Sequence, residues 1–150
     1  FSYPSVCQHQ QTSAYKGRYC ESILIKMGYR CFMTSKNSFV KSWILRCLNL
    51  KEYLQKQSFD TLEVFPFATR RILFPDLPGK KQTLQFRKIL LSNLRRWGVH
   101  FPPEDRIYSH DELDAVLAAI TALLHGNHQT EMIGDERDGF IIIPKMMDKE

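Results

Sequence analysis

The sequence predicts an α/β fold, because segments with a helical period alternate with segments that have the composition of strands. The clearest helical segment is 110–125, where apolar residues recur at three- and four-residue steps. The clearest strand segments are 59–66 and 140–143, which are dense in β-branched and aromatic residues. The chain has 150 residues and 43% apolar composition, which is enough for a single domain, 1–150, with its own core.

The amino-terminal third predicts a loop followed by two helical segments. Residues 1–16 are rich in Gln, Ser and His and are expected to form a loop or a poorly ordered segment. A short helix is expected over 17–27 and should end at Gly28. A discontinuous apolar stripe over 38–57 predicts a helix that is broken near Asn49.

The strand segment that follows carries an acid at its centre. Leu62 and Val64 are expected on one face and Glu63 on the other, and Pro66 should end the hydrogen-bonded ladder. Two explanations fit such an acid: the strand lies at a sheet edge and Glu63 meets water, or Glu63 takes part in chemistry. The residues alone leave both explanations open.

The segment between residues 69 and 97 is strongly basic. It predicts a short helical turn over 68–74 and an amphipathic helix over 83–97 that stops at Gly98. Eight cations stand against a single acid, Asp76, and the whole chain carries a net charge of +5. The cations are Arg70, Arg71, Lys80, Lys81, Arg87, Lys88, Arg95 and Arg96. A polyanion such as nucleic acid suits this charge, but paired Lys and Arg residues also serve only to solubilise a helix.

The helix predicted over 110–125 has clear start and stop signals and two acids in its first turns. Ser109 and Glu112 have the spacing of a capping box, and Gly126 is expected to adopt the left-handed C-cap. Asp111 and Asp114 are neighbours on the helix surface, and Asp114 lies within the apolar part. A half-buried carboxylate needs a cation, a metal or several hydrogen bonds. The pair favours a metal, whereas Asp111 alone equally suits the positive end of the helix dipole.

The carboxy-terminal segment predicts a hairpin. Residues 131–144 are expected to form two short strands joined by a turn, with 140–143 buried and 145–150 as a polar tail. Gly and Asp residues in the turn allow positive φ angles. The acids of the turn do not match the Asp-x-Asp-x-Asp-Gly pattern of a calcium loop, so we assign them to turn formation.

The spacing of the cysteines and the lengths of the apolar runs indicate in which cellular compartment the protein is expected. Cys7, Cys20, Cys31 and Cys47 lack paired Cys-x-x-Cys spacing, which favours free thiols in a reducing compartment. A zinc site of Cys7, His9 and Cys20 would lack the second closely spaced ligand pair that completes a tetrahedron. No apolar run is long enough to span a bilayer, and the chain shows no basic-then-apolar signal pattern. A cytoplasmic protein without a membrane partner is therefore expected.

Several short motifs follow one another in a recognisable order. They are Leu62-Glu63-Val64-Phe65-Pro66, then His110-Asp111-x-x-Asp114-Ala115, then Ile133-Gly134-Asp135 and Asp138-Gly139-Phe140-Ile141-Ile142-Ile143-Pro144. Upstream, Gly17-Arg18-Tyr19-Cys20-Glu21 is similar to an Arg-Cys-Asp/Glu segment. Together they resemble a widespread uncharacterised family, domain of unknown function 429 (DUF429), whose members are described as predicted nucleases of RNase H-like fold. The helix acids also resemble those on the last helix of RuvC-type resolvases.

The resemblance implies an RNase H-like α/β fold, in which a mixed sheet is flanked by helices and acids meet over a divalent-metal site. Glu63 is then the strand acid, and Asp111 and Asp114 are the helix acids, which makes the three both catalytic and metal-binding residues. With Mg²⁺ or Mn²⁺ they would hydrolyse phosphodiester bonds of nucleic acid. His110 is expected either to orient a carboxylate or to act as a structural hydrogen-bonding residue. The residues expected to contact phosphates are Arg70, Arg71, Lys80 and Lys81.

The sequence departs from the family at the first strand, which in the family carries another essential Asp. The chain is therefore expected to represent the carboxy-terminal portion of the fold, or a truncated relative without activity. Three functions stay open. The first is the metal-dependent nuclease, the second is a non-catalytic nucleic-acid-binding module built on 69–97, and the third is an assembly element that forms homo-oligomers through an exposed sheet edge.

Overall fold

The computed structural model describes residues 17–34, 41–102 and 106–146. They form five α-helices and one two-stranded antiparallel sheet, so the expected mixture of helices and strands is confirmed, whereas the RNase H-like mixed sheet flanked by helices stays a prediction. The elements are α1 (Tyr19–Lys26), α2 (Lys41–Lys56), α3 (Pro66–Leu73), α4 (Leu84–Arg96), α5 (His110–Gly126), β1 (Thr130–Asp135) and β2 (Gly139–Pro144). None of these helices is both long and apolar enough to cross a membrane.

The chain divides into two compact units. One unit comprises Phe1–Glu63 with Met132–Ile142, and the other comprises Val64–Glu131 with Ile143–Glu150. The first unit contains α1, α2 and the hairpin turn, and the second contains α3, α4 and α5. The loop predicted over 1–16, the positions of Cys7 and His9, and residues 147–150 of the predicted tail lie outside the described residues.

In the first unit, α1 confirms the predicted short helix and ends before Gly28, whose φ is +87°. α2 is one uninterrupted helix, so the predicted break near Asn49 is wrong. An asparagine inside a helix costs only about 0.7 kcal/mol or less in propensity, which is too little to interrupt a ladder of hydrogen bonds. Ser58, with φ 63°, follows the end of α2. The predicted start of this helix, at 38–40, lies outside the described residues.

The strand predicted over 59–66 is wrong in extent. Only Val64 forms a β-bridge, and the carbonyl oxygen of Glu63 accepts a hydrogen bond from the N–H of Ile142 at 2.8 Å. Pro66 occupies the first position of α3, where its fixed φ suits a helix and its missing N–H would have no helical partner. α3 therefore starts two residues before the predicted position 68 and cuts the extended segment short.

The core of the second unit lies around α4 and α5. Its buried apolar residues are Phe86, Leu90, Leu94, Tyr108, Leu113, Leu117 and Ile120. α3 packs against α5, and the hydroxyls of Thr69 and Thr121 form a buried hydrogen bond of 2.7 Å between the two helices. Gly98, with φ +96°, ends α4 as predicted. The predicted amphipathic helix over 83–97 is thus confirmed, with Thr83 as its N-cap.

α5 starts as the sequence predicts and ends differently. The N–H of Glu112 donates to the Ser109 hydroxyl at 3.2 Å, and the N–H of Ser109 donates to the Glu112 carboxylate at 2.8 Å. The left-handed C-cap expected at Gly126 is wrong, because Gly126 is still helical and His128 has the positive φ of 59°. The reason is that the closing bond runs from the N–H of Gln129 to the carbonyl of Leu124, which places the left-handed residue further along the chain.

The predicted hairpin is confirmed. Gly134 and Gly139 have φ angles of 132° and 83°, which favour glycine. The Asp135 carboxylate accepts the backbone N–H groups of Arg137 at 3.0 Å and Asp138 at 3.1 Å, which is the turn-forming role expected for these acids. The side chains at 141–143 are buried in β2, as predicted, whereas Phe140, predicted to be buried with them, is only half-buried.

Candidate functional site

Glu63, the predicted strand acid, belongs to the first unit and is ion-paired with Arg18. The Nε–H of Arg18 also donates to the carbonyl oxygen of Asp138 at 2.9 Å, and the Asp138 carboxylate accepts the N–H of Tyr19 at 2.8 Å. Burial opposes the charge on Arg18, but the hydrogen bond and the charge of Glu63 hold the pKa of Arg18 above its ordinary value. Glu63 is therefore part of a network that ties the start of α1 to the hairpin turn.

Asp111 and Asp114, the predicted helix acids, lie in the first two turns of α5 in the second unit. The Asp111 side chain is 84% exposed, and its carboxylate lies 3.2 Å from Nε2 of His110. The Asp114 side chain is 27% exposed and is ion-paired with Lys81. The sequence requires a partner for a half-buried acid at position 114, and the structure supplies a lysine.

These contacts bear on whether the predicted acids fit a metal. Among the residues that the structure describes, no group of three or more His, Cys, Asp or Glu side chains could hold a metal ion. An ion at Asp114 would have to displace the ammonium group of Lys81 from that carboxylate. The site of Glu63, Asp111 and Asp114 with Mg²⁺ or Mn²⁺ therefore stays a prediction, and only Asp111 presents a carboxylate that is mostly open to solvent.

Cationic side chains gather in a small cleft of the second unit, at the amino end of α5. Its charged and titratable lining consists of Arg70, Lys81, Arg87, His110 and Asp114. Apolar residues complete the wall: Phe67, Phe86, Leu90 and Leu113. Because Lys81 neutralises Asp114, the positive charges of Arg70 and Arg87 are left in excess. We call this feature the cationic cleft.

Arg70 is the most distinctive residue of the cationic cleft. Its guanidinium lies 5.1 Å from the ring centroid of Phe67 and 5.3 Å from that of Phe86, within the range of cation–π attraction. Burial and the charge of Arg71 hold the pKa of Arg70 below its ordinary value, and Asp114 opposes that shift. Within the described ranges, no hydrogen-bond acceptor is found for this guanidinium, so its planar set of N–H donors is held in place and available to an anion.

Arg87 on α4 adds a second incompletely paired guanidinium. Its Nη1 donates to the carbonyl oxygen of Tyr108 at 3.1 Å. Its Nε is buried, and no described residue accepts a hydrogen bond from it. A buried donor without a partner costs about 1–3 kcal/mol, which an anion bound in the cationic cleft would offset by supplying an acceptor.

Two of the four residues that the sequence predicts to contact phosphates line the cationic cleft, and the other two do not. Arg70 and Lys81 line the cationic cleft, whereas Arg71 and Lys80 are exposed and do not line it. Arg87 lines it but was recognised in the sequence only as part of the basic segment. The sequence does contain one indication that Arg87 lies at the edge of the core. Arg87 directly follows Phe86, which is one of the buried apolar residues of α4.

The thiols of Cys20 and Cys31 do not form a thiolate site. Cys20, Cys31 and Cys47 are free, as predicted. Burial raises the pKa of Cys20 to about 12 and that of Cys31 to about 11, so both thiols are protonated at neutral pH. Thiols in that state are weak nucleophiles and weak metal ligands.

Comparison of the chain with protein-family models, with curated proteins and with solved structures found no match. The resemblance to DUF429 therefore stays a prediction.

Proposed function

We propose that this protein binds nucleic acid and that the cationic cleft contacts the phosphates. The observation that carries the proposal is the Arg70 guanidinium, which lies over two aromatic rings without an acceptor of its own among the described residues. Phosphate is the anion whose geometry matches such a planar set of donors, since two parallel N–H···O bonds can form at once.

The surroundings of the cationic cleft favour a long polyanion over a small one. The segment 69–97 has eight Lys or Arg residues and one acid. Side chains outside the cationic cleft, including Arg71, Lys80 and Lys88, are exposed to solvent. A small anion would be served by the cleft alone, whereas a phosphate backbone would also use the exposed cations.

Binding without catalysis is favoured over cleavage because two of the three predicted acids already have cationic partners. Glu63 is paired with Arg18, and Asp114 is paired with Lys81. A carboxylate that neutralises a neighbouring cation is less available to a metal ion. We therefore expect affinity for nucleic acid that depends on salt and does not require a divalent metal.

A metal-dependent nuclease of RNase H-like fold is the second candidate, and Asp111 supports it. Asp111 and Asp114 are three residues apart on α5 and so are neighbours on its surface. The exposed carboxylate of Asp111 is a hard oxygen ligand of the kind that Mg²⁺ and Mn²⁺ prefer. Such an ion would supply an activated water for phosphodiester hydrolysis. That Glu63 joins this site stays a prediction.

The test of the proposal compares two arginines that are adjacent on α3. Arg70→Gln and Arg71→Gln each remove one positive charge, but only Arg70 lines the cationic cleft. We expect Arg70→Gln to weaken binding about tenfold or more, because a hydrogen bond to a charged group is worth about 1.5–3 kcal/mol. We expect Arg71→Gln, whose side chain is exposed, to weaken it about twofold to threefold.

The measurement is fluorescence anisotropy of a labelled oligonucleotide at about 50 and 200 mM salt. Arg70→Lys serves as a further variant, since it keeps the charge and loses the paired donors, and it should fall between the wild type and Arg70→Gln. Equal losses in Arg70→Gln and Arg71→Gln would show that the charge acts non-specifically and that the cationic cleft is not the contact site.

We further propose a cytoplasmic location, which the free thiols of the described cysteines support. Self-association through a sheet edge stays a prediction, for which sedimentation velocity over a range of concentrations is the direct test.

A further inference from the structure

A second concave surface of the second unit lies at the other end of α4. It is a groove of about 470 Å³ between the loop that follows α3 and the carboxy-terminal half of α4. Its wall is largely apolar, with Phe74, Leu77 and Pro78 from the loop and Trp97 from the end of α4. We propose that this groove binds an unstacked base of a single-stranded nucleic acid and that Trp97 is the surface on which the base stacks. The inference rests on the proposed function and specifies its ligand.

Trp97 has the properties that a stacking surface requires. The residue is 40% exposed, so a large aromatic side chain is left partly open to solvent. Its backbone is fixed as the C-cap of α4, where its N–H donates to the carbonyl oxygen of Asn93 at 2.9 Å. An indole on a fixed backbone offers a planar apolar face at a low cost in conformational entropy.

Two polar side chains of α4 line the same groove. Asn93, Arg96 and Trp97 have the spacing i, i+3 and i+4, which places them on one face of α4. The Asn93 amide has both donors and an acceptor, as the edge of a base does. The Arg96 guanidinium can bind a phosphate or a base edge. Stacking, a base-edge partner and a cation are the contacts that single-strand binding uses.

The cationic cleft and the groove are linked by a rigid helix. Arg87 lines the first and Trp97 the second, ten residues further along α4, which corresponds to about 15 Å at 1.5 Å per residue. A few nucleotides of one strand can bridge that distance. A base in a duplex is stacked on both of its faces and paired at one edge, so it cannot enter a groove of this kind without leaving the duplex. The occupant is therefore single-stranded.

The charge of the segment distinguishes this occupant from an apolar peptide, which would fit the groove by shape. Asp76 is the one acid among the described residues that line the groove, and eight Lys or Arg residues lie between 69 and 97. A hydrophobic peptide gains nothing from these cations. A strand of nucleic acid uses both the apolar wall and the charge around it.

Fluorescence provides the test, because the chain contains two tryptophans. Trp43→Phe leaves Trp97 as the sole indole, and Trp43, which is 60% exposed on α2 in the first unit, is not among the residues that line the groove. This variant is titrated with a single-stranded oligonucleotide, with the duplex of the same sequence and with inorganic polyphosphate, while anisotropy of the labelled nucleic acids reports binding. We expect the single strand to quench Trp97 and the other two ligands to leave its emission unchanged.

Each outcome has a defined meaning. A single strand that binds by anisotropy without changing Trp97 emission overturns the groove proposal and leaves the cationic cleft intact. If the duplex quenches Trp97 emission as strongly as the single strand does, the groove proposal is also overturned, because the quenching would then not require an unstacked base. An absence of binding to both nucleic acids overturns the proposed function and this inference with it.

A pair of substitutions at the same position gives a second readout. Trp97→Ala should weaken single-strand binding about five- to hundredfold, whereas Trp97→Phe keeps an aromatic face and should retain most of the affinity. Circular dichroism of both variants checks that α4 is intact. Equal single-strand affinity of the two variants would contradict stacking at position 97, whatever the fluorescence shows.

Discussion

Replacing Asp114 with asparagine removes the one negative charge that the described residues place in the lining of the cationic cleft. The amide has nearly the shape of the carboxylate, so the packing of α5 should not change. Lys81, now ion-paired with Asp114, would keep its full charge for a ligand. We therefore expect Asp114→Asn to bind nucleic acid more tightly than the wild type.

The size of the effect follows from distance and exposure. A unit charge about 4 Å from another interacts with about 1 kcal/mol in water and about 4 kcal/mol near a protein surface. The side chains of Lys81 and Asp114 are 37% and 27% exposed, so solvent screens much of this interaction. A net gain of about 0.5–1.5 kcal/mol remains, which corresponds to about twofold to tenfold tighter binding.

The assay is oligonucleotide anisotropy in a metal-free buffer, with Asp111→Asn as the matched control. This control removes the same formal charge from the same end of α5, but the Asp111 side chain is 84% exposed and does not line the cationic cleft. We expect less than about a twofold change for Asp111→Asn. Weaker binding by Asp114→Asn than by the wild type, with Asp111→Asn unchanged, would refute the argument and favour a role for Asp114 as a ligand.

Two further predictions concern the stability of α5, which carries one wall of the cationic cleft. Leu117→Ala should lower the free energy of unfolding by about 2.7–5 kcal/mol, because Leu117 is fully buried. Leu123→Ala, at a side chain that is 62% exposed, should change the free energy of unfolding by less than about 0.5 kcal/mol. Urea denaturation measures both values, and equal losses in the two variants would contradict the assigned core. The second concerns pH. Hydrogen bonds from Ser109, and next the hydrogen bond from the Arg106 side chain, hold the pKa of Glu112 below its ordinary value. The charged carboxylate therefore stabilises the fold above the pKa of Glu112 in the unfolded state. This stabilisation is lost as the pH falls through the pKa of Glu112 in the folded state. The stability difference between the wild type and Glu112→Gln should therefore shrink between about pH 5 and pH 3, and a constant difference would show that the charge of Glu112 does not contribute.

Local signals in the sequence were sufficient for most of the helices. Ser109 and Glu112 specify the start of α5 because a capping box needs only residues three apart. Gly28 and Gly98 were recognised as helix ends because a left-handed residue at that position favours glycine. His128 was not recognised, since nothing in its residue type marks it as the left-handed residue after α5.

The extent of the strand over 59–66 and the identity of the acids' partners depend on contacts between distant residues. Local sequence patterns do not predict such contacts. The segment has the composition of a strand, but Pro66 favours the first position of a helix, so α3 begins there and limits the extended segment. Lys81 and Asp114 are 33 positions apart, and Arg18 and Glu63 are 45 positions apart. The sequence predicted that Asp114 needs a partner, but whether that partner is a lysine or a metal depends on tertiary structure.

Metal-independent binding of nucleic acid is tested most directly by the affinity of the wild-type protein for a labelled single-stranded oligonucleotide, measured once in EDTA and once in Mn²⁺. A denaturing gel of each sample shows whether the oligonucleotide is intact. We predict affinities within about twofold of each other, a steep loss of affinity with added salt, and intact oligonucleotide in both samples. Binding that appears only in Mn²⁺, with cleavage of the strand, would contradict this prediction and establish the metal-dependent nuclease instead.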